Sequence, residues 1–274
     1  MDAPAIAFGG SLSNFDALKT LFAEARALGV PPERMICTGD VVGYCAEPEV
    51  CVQMLRDNPV ATLMGNVEEA LGNGSGDCGC NFVEGSACDA LSGRWYAFAR
   101  DNISEESRAW MRTLPRSLDL DIAGHRVHVL HGGGRQINRY VFASDTAAIA
   151  DETATLPAGT IVIAGHCGLP FTARAAGVLW HNPGSLGLPA NDGTARVWYA
   201  LIEADGGGLR ISHRALAYDH QVAAEKMRKA ELPEAYARAL ETGLWPDTAI
   251  LPAAERAVTG RALAPAGSVW RQAR

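Results

Sequence analysis

The spacing of apolar residues switches repeatedly between a strand period and a helix period. Ala5-Ile6-Ala7-Phe8 is a short apolar run ended by Gly9-Gly10-Ser11, which predicts a buried strand. Phe15, Leu18, Leu21, Phe22, Ala25 and Leu28 then keep helical spacing, Asn14 stands where a cap is wanted, and Gly29 with Pro31-Pro32 ends the helix. Met35 to Asp40 reads as a second strand, Pro48 to Leu55 as a helix and Val60 to Met64 as a third strand. A short acidic helix follows from Asn66. Strands alternating in this way with helices predict an α/β fold with helices on the sheet faces.

The second half departs from that rhythm. Residues 72–87 are rich in Gly, Asn, Ser and Asp and read as a loop, and helical patterns over Ala90–Arg100 and Ser104–Leu114 complete an expected helical cap insertion at about 72–115. Trp95, Tyr96 and Trp110 fall at helical positions and read as packing within that cap. From Ser117 the period becomes two, through Leu118, Leu120 and Ile122, a turn at Ala123-Gly124, then Val127 and Val129, which predicts a hairpin ending at His131. Ile161 to Gly165, Val178 to Trp180 and Val197 to Ile202 supply further strands and imply a second sheet. Helices over about Asp219–Lys229 and Pro233–Glu241 open a C-terminal helical extension of about 217–274, which finishes in an extended Pro- and Ala-rich tail. We read 1–274 as a single domain carrying these two additions.

Composition narrows the classes. A net charge of -7 supplies no broad basic face, so duplex nucleic-acid binding is not expected and small-molecule partners are. No apolar run is long enough to span a bilayer, and Met1-Asp2-Ala3-Pro4 has neither the basic flank nor the apolar stretch of a secretory signal. A cytoplasmic location without membrane association is therefore expected, and oligomers remain open. Seven cysteines, one of them (Cys37) inside a strand, argue against a disulfide framework. Cys78 and Cys80 with Cys88 beyond lack the paired spacing of a structural zinc site.

Candidate chemistry gathers at strand ends. Ligands in open α/β sheets bind beyond the carboxyl ends of the strands, and four polar residues arrive there: Asp40, Asn66, His131 and His166. One carboxylate, one amide and two imidazoles suit a divalent metal.

These residues lie in motifs that resemble the calcineurin-like metallophosphoesterases, in particular their compact bacterial phosphodiesterase branch. The motifs are Gly39-Asp40-Val41-Val42-Gly43-Tyr44, Gly65-Asn66, His131-Gly132, Gly165-His166 and Asn182-Pro183-Gly184-Ser185, in the family's order across residues 5–203. The resemblance implies a four-layer α/β/β/α sandwich of the metallo-dependent phosphatase type with two metals at the strand ends. It also exposes departures. The family's first motif, Asp-x-His-Gly-Asn, is here Gly10-Ser11-Leu12-Ser13-Asn14; its catalytic His after the Asn ligand is Val67; and its Gly-His-x-His is Gly165-His166-Cys167-Gly168. Carried across, one metal site has lost three ligand positions (Gly10, Leu12, Gly168), whereas the other keeps Asp40, Asn66, His131 and His166.

The resemblance therefore implies a metal-dependent phosphoesterase acting on small-molecule phosphate monoesters or diesters. Its centre is degenerate, its activity weak, and at most one divalent ion (Mn, Fe, Zn or Ni) is tightly bound. The alternative is an inactive pseudo-enzyme that binds phosphate or nucleotide or acts in regulation. Arg135, Arg139 and Tyr44 are candidate substrate contacts, and Cys167 and His181 candidate replacement ligands.

Overall fold

Each short apolar run forms a strand with two buried faces, and that accounts for the layering. The computed structural model describes residues 3–271. Its first half runs β1 (Ala5–Phe8), α1 (Phe15–Ala27), β2 (Met35–Cys37), α2 (Pro48–Arg56), β3 (Ala61–Thr62) and α3 (Asn66–Asn73). Two further helices, α4 (Ala87–Asp101) and α5 (Glu105–Thr113), lead into the hairpin β4 (Ser117–Ile122) and β5 (His125–Leu130). Then come α6 (Thr146–Thr153), β6 (Ile161–Ala164), β7 (Pro170–Ala175), β8 (Val178–Pro183), β9 (Val197–Asp205) and β10 (Gly208–Leu216). The chain closes with α7 (His220–Lys229), α8 (Glu234–Thr242), α9 (Ala253–Arg256) and β11 (Gly267–Trp270).

The strands make two mixed sheets, ordered β11-β10-β9-β1-β2-β3 and β4-β5-β6-β8-β7. β1, β2 and β3 are parallel, as are β5, β6 and β8, so the carboxyl ends of all six point to one edge. Alternation along each strand sorts its side chains between two cores. Ala5, Ala7 and Ile36 meet Val127, Val129, Ile161 and Ile163 between the sheets, while Ile6, Phe8, Met35 and Cys37 face the helices with Leu18 and Leu21 of α1. Each fully buried large apolar side chain is worth about 1.5–3 kcal/mol, so both cores contribute. The outer layer on the second sheet is thin, with Ala148 and Ile149 of α6 covering Leu130, Val162, Val178 and Trp180. The result is the expected α/β/β/α arrangement.

Three strands depart from the sequence reading. β10 alternates inward Leu209 and Ile211 with outward Arg210 and Arg214, a period-two signal interrupted by its charges. β7 is only partly buried, as an edge strand, and shows little periodicity. The tail expected to be extended pairs with β10 as β11 and buries Trp270. The helices α4 and α5 pack on the body, with Trp95, Tyr96, Ala99 and Met111 sharing the core of α1 and α3. Among the described residues no helix is long and apolar enough to cross a membrane.

Candidate metal centre

The loops after β2, β3, β5 and β6 carry Asp40, Asn66, His131 and His166 to a common point. The ligand atoms of Asp40, His131 and His166 lie within 4.8 Å of one another. His131 is the hub, with Nε2 3.2 Å from Asp40 Oδ2, 3.0 Å from Asn66 Oδ1 and 3.1 Å from His166 Nδ1. Two of the four residues adopt left-handed backbone, Asp40 at φ 55° and His166 at φ 61°. Non-glycine residues take that conformation rarely, and such strain gathers at functional sites.

The neighbours of the four fix their orientation. His131 Nδ1 lies 2.7 Å from the Thr38 carbonyl oxygen, which places the neutral ring's proton on Nδ1 and turns the Nε2 lone pair into the site. Asn66 donates through Nδ2 to the Cys78 carbonyl (2.9 Å), so its Oδ1 faces His131. Val67 N–H donates to Asp40 Oδ1 at 3.3 Å. Gly65 has to be glycine, because a Cβ there would lie 2.3 Å from Asp40 Oδ1.

Glu68 is fully buried and went unnoticed in the sequence. Its Oε2 accepts from Asp40 N (2.7 Å) and Gly65 N (2.9 Å), and its Oε1 from Val42 N (3.2 Å). It thereby grips both ligand loops. The available signal was its place three residues after the N-cap of α3, the capping-box spacing.

The donor set fits a cation. A lone-pair nitrogen surrounded at 3.0–3.2 Å by a carboxylate oxygen, an amide oxygen and a second imidazole is repulsive until a proton or metal ion sits among them. Burial opposes charge on both Asp40 and His131, yet their contact overcomes it, holding the Asp40 carboxyl below its usual range and raising His131. His166 moves down, through burial and the neighbouring His131. Burial and the Asp40 charge push the Glu68 carboxyl up to about 7. Metal and proton therefore compete for His131. Divalent-ion affinity should rise with pH across the neutral range, and calorimetry in buffers of different ionisation enthalpy should detect up to one proton released per ion. Affinity flat in pH would mean that His131 Nε2 is not a ligand.

Gly10 and Gly168 have little room for a side chain. A Cβ on Gly10 would sit 2.6 Å from the Asp40 carbonyl oxygen and 3.0 Å from Leu12 Cδ2, and one on Gly168 3.3 Å from the Trp245 ring. Leu12 and Trp245 line the same cleft as Asp40 and His166. Cys167 is also in the cleft wall, but its Sγ accepts from Asn182 Nδ2 (3.2 Å) and burial pushes its thiol up to about 12, which suits an inert thiol. His181 lies outside the cluster, stacked on His213 at 4.2 Å with Nδ1 against Thr172 Oγ1. Neither belongs to the cluster of ligand atoms formed by Asp40, His131 and His166.

Of the candidate substrate contacts, Tyr44 lines the cleft, packed on Trp95 and Tyr236. Arg139 is instead paired with Asp151 (2.6 Å) and Glu152 (2.7 Å) of α6, and Arg135 lines a separate hollow with the same two acids. Both arginines are thereby taken out of the cleft. Cys78 and Cys80 are joined as a disulfide across Gly79, while Cys37, Cys45, Cys51, Cys88 and Cys167 are free thiols. One such pair is not a disulfide framework: Gly79 in left-handed backbone lets this C-x-C segment close on itself.

Known proteins share this architecture. The calcineurin-like phosphoesterase superfamily domain matches residues 13–207. An uncharacterized protein of Methanocaldococcus jannaschii is 27% identical over 240 residues, covering 81% of this chain and 90% of that protein. A metallophosphoesterase from Sphaerobacter thermophilus superposes with a TM-score of 0.71 at 21% identity, over 89% of this chain and 100% of that one. A hypothetical protein from Pyrococcus horikoshii OT3 gives 0.74 at 17% identity, over 88% and 99%. At those identities the two structures speak for the fold alone.

Proposed function

The chain belongs to the calcineurin-like phosphoesterase superfamily, and from that premise we propose a single-ion phosphoester-binding protein that hydrolyses phosphate monoesters or diesters slowly. The observation that carries this reading is the asymmetry of the centre. Asp40, Asn66, His131 and His166 converge, whereas Gly10, Leu12 and Gly168, which line the same cleft, offer no ligand atom. When bound, a divalent ion of the Mn, Fe, Zn or Ni kind would polarise a phosphoryl oxygen as a Lewis acid.

The chain's own residues set the limits of the chemistry. Asp40 supplies the anionic ligand and His131, oriented by Thr38, a neutral nitrogen. Val67 lines the cleft beside them and has no proton to give a departing oxygen, so leaving groups of low pKa are favoured. Loaded with one equivalent of Mn²⁺, the protein should turn over 4-nitrophenyl phosphate far more slowly than the roughly 10 per second of a typical enzyme. Asp40→Ala should remove what turnover there is. Fast turnover, or turnover that survives Asp40→Ala, would overturn the reading.

The apolar character of Leu12 and Val67 favours one alternative, a protein that binds the ester without cleaving it. Ester binding that depends on the ion, with turnover no higher than in Asp40→Ala, would identify it.

A further inference from the structure

The chemistry so far leaves the disulfide without a role. Cys78 and Cys80 are bridged in the irregular segment 74–86 that joins α3 to α4. The bridge encloses a single residue, Gly79, and the chain entropy that a disulfide removes from the unfolded state shrinks with the loop it closes, so it adds little to the stability of the fold. Its position says more. Three consecutive carbonyls of this segment are each held by a side chain of the centre or its rim. Asn66 Nδ2 donates to the Cys78 carbonyl (2.9 Å), Asn138 Nδ2 to that of Gly79 (2.7 Å) and the Tyr140 hydroxyl to that of Cys80 (2.9 Å). Asn66 Nδ2 also lies 3.5 Å from Cys80 Sγ, and the Tyr140 ring lies 4.3 Å from that of His166. The bridged segment thereby clasps the loop after β3 of one sheet to the loop after β5 of the other.

We propose that Cys78–Cys80 is a redox site opened by a small dithiol, and that opening it releases Asn66 and weakens the centre's hold on a divalent ion. This inference rests on the single-ion reading above. Cys80 lines the cleft and is the sulfur a reductant reaches. One thiolate of the dithiol bonds to Cys80 Sγ, the bond between the two cysteines breaks, and the Cys78 thiolate takes up a proton. The second thiolate of the dithiol then displaces Cys80, which is protonated in turn, and closes the dithiol's own disulfide. Two electrons pass from the dithiol to the pair. Without the bridge, Gly79 is free to leave its left-handed conformation (φ 62°), and the flanking carbonyls are no longer held toward Asn66 and Tyr140. An Asn66 amide deprived of that acceptor turns, and its Oδ1 leaves the position 3.0 Å from His131 Nε2. Loss of a partner that orients a metal ligand costs about 10- to 100-fold in affinity, and because Asn66 is a neutral ligand the expected loss is about 10-fold. Linkage makes the effect reciprocal, so a bound ion should raise the ratio of reduced to oxidised dithiol needed for half-opening by the same factor.

The full chain tests this directly. Excess dithiothreitol should open the bridge in the folded protein, raising the thiols alkylated after quenching and unfolding from five to seven by mass spectrometry. With the dithiol removed under argon, calorimetry should show Mn²⁺ bound about 10-fold more weakly than by the bridged chain. The Cys78→Ser/Cys80→Ser double variant should match the reduced form, and in Asn66→Ala both redox forms should bind the ion equally. A bridge that dithiothreitol leaves closed in the folded protein overturns the proposal, as does a half-opening ratio that Mn²⁺ does not move. A redox difference that persists undiminished in Asn66→Ala overturns the route through that side chain. No Mn²⁺ uptake in either form removes the single-ion reading and this inference together, whereas equal uptake by bridged and reduced chains removes this inference alone.

Discussion

Asp40→Ala is expected to lower the affinity for a divalent ion by about 100-fold or more, since changes to the outer partners of metal ligands alone cost 10- to 100-fold. Asp40 is the one carboxylate of the cluster, and the other groups are an amide and two imidazoles, which are neutral when they bind metal. Its removal deletes the charge that draws a cation into a buried site and also the partner that orients His131. Asn66→Ala deletes a neutral oxygen and should weaken binding by a smaller factor. Metal titration by calorimetry, with elemental analysis after dialysis, separates the two. Equal losses from both variants, or an intact ion in Asp40→Ala, would mean that the ion sits elsewhere.

Glu68→Ala is expected to destabilise the metal-free protein by about 3 kcal/mol or more. The change leaves the N–H groups of Asp40, Val42 and Gly65 buried without an acceptor, and each such orphan costs about 1–3 kcal/mol. Relief of the repulsion between Glu68 and Asp40 offsets part of that sum, which keeps the expectation near its lower end. Glu68→Gln retains an oxygen for Asp40 and Gly65 but turns an amide donor toward Val42, so it should lose about 1–2 kcal/mol. Urea unfolding in excess chelator measures both. A loss under 1 kcal/mol for the alanine variant would show that water replaces the carboxylate without penalty. Against a typical total of about 5–15 kcal/mol, the larger loss should visibly lower the yield of folded protein.

Strand ends were legible because chemistry and periodicity coincide there. Asp40, Asn66, His131 and His166 each follow an apolar run and lie in or beside a Gly-containing motif, so local sequence located all four. What escaped depends on partners remote in sequence. Nothing around Arg139 announces that α6 will present Asp151 and Glu152 to it, and nothing around Gly168 announces that Trp245 will close over that position. Glu68 lies between these cases, its capping position being readable in the sequence and its reach to Asp40 and Val42 only in three dimensions. β10 was readable too, in Leu209 and Ile211, but its arginines masked the alternation.

The depth of the centre also bears on exchange. Asp40, Asn66 and His131 are only 9%, 2% and 1% exposed, and the approach runs past Tyr140 and Trp245 in the cleft wall. An ion held here would have to give up protein ligands before bulk water could replace them, so its exchange should be slow relative to purification. Any metal recovered with the protein would then record the medium in which the chain folded, and ranking metals by preference would require unfolding and refolding in defined mixtures.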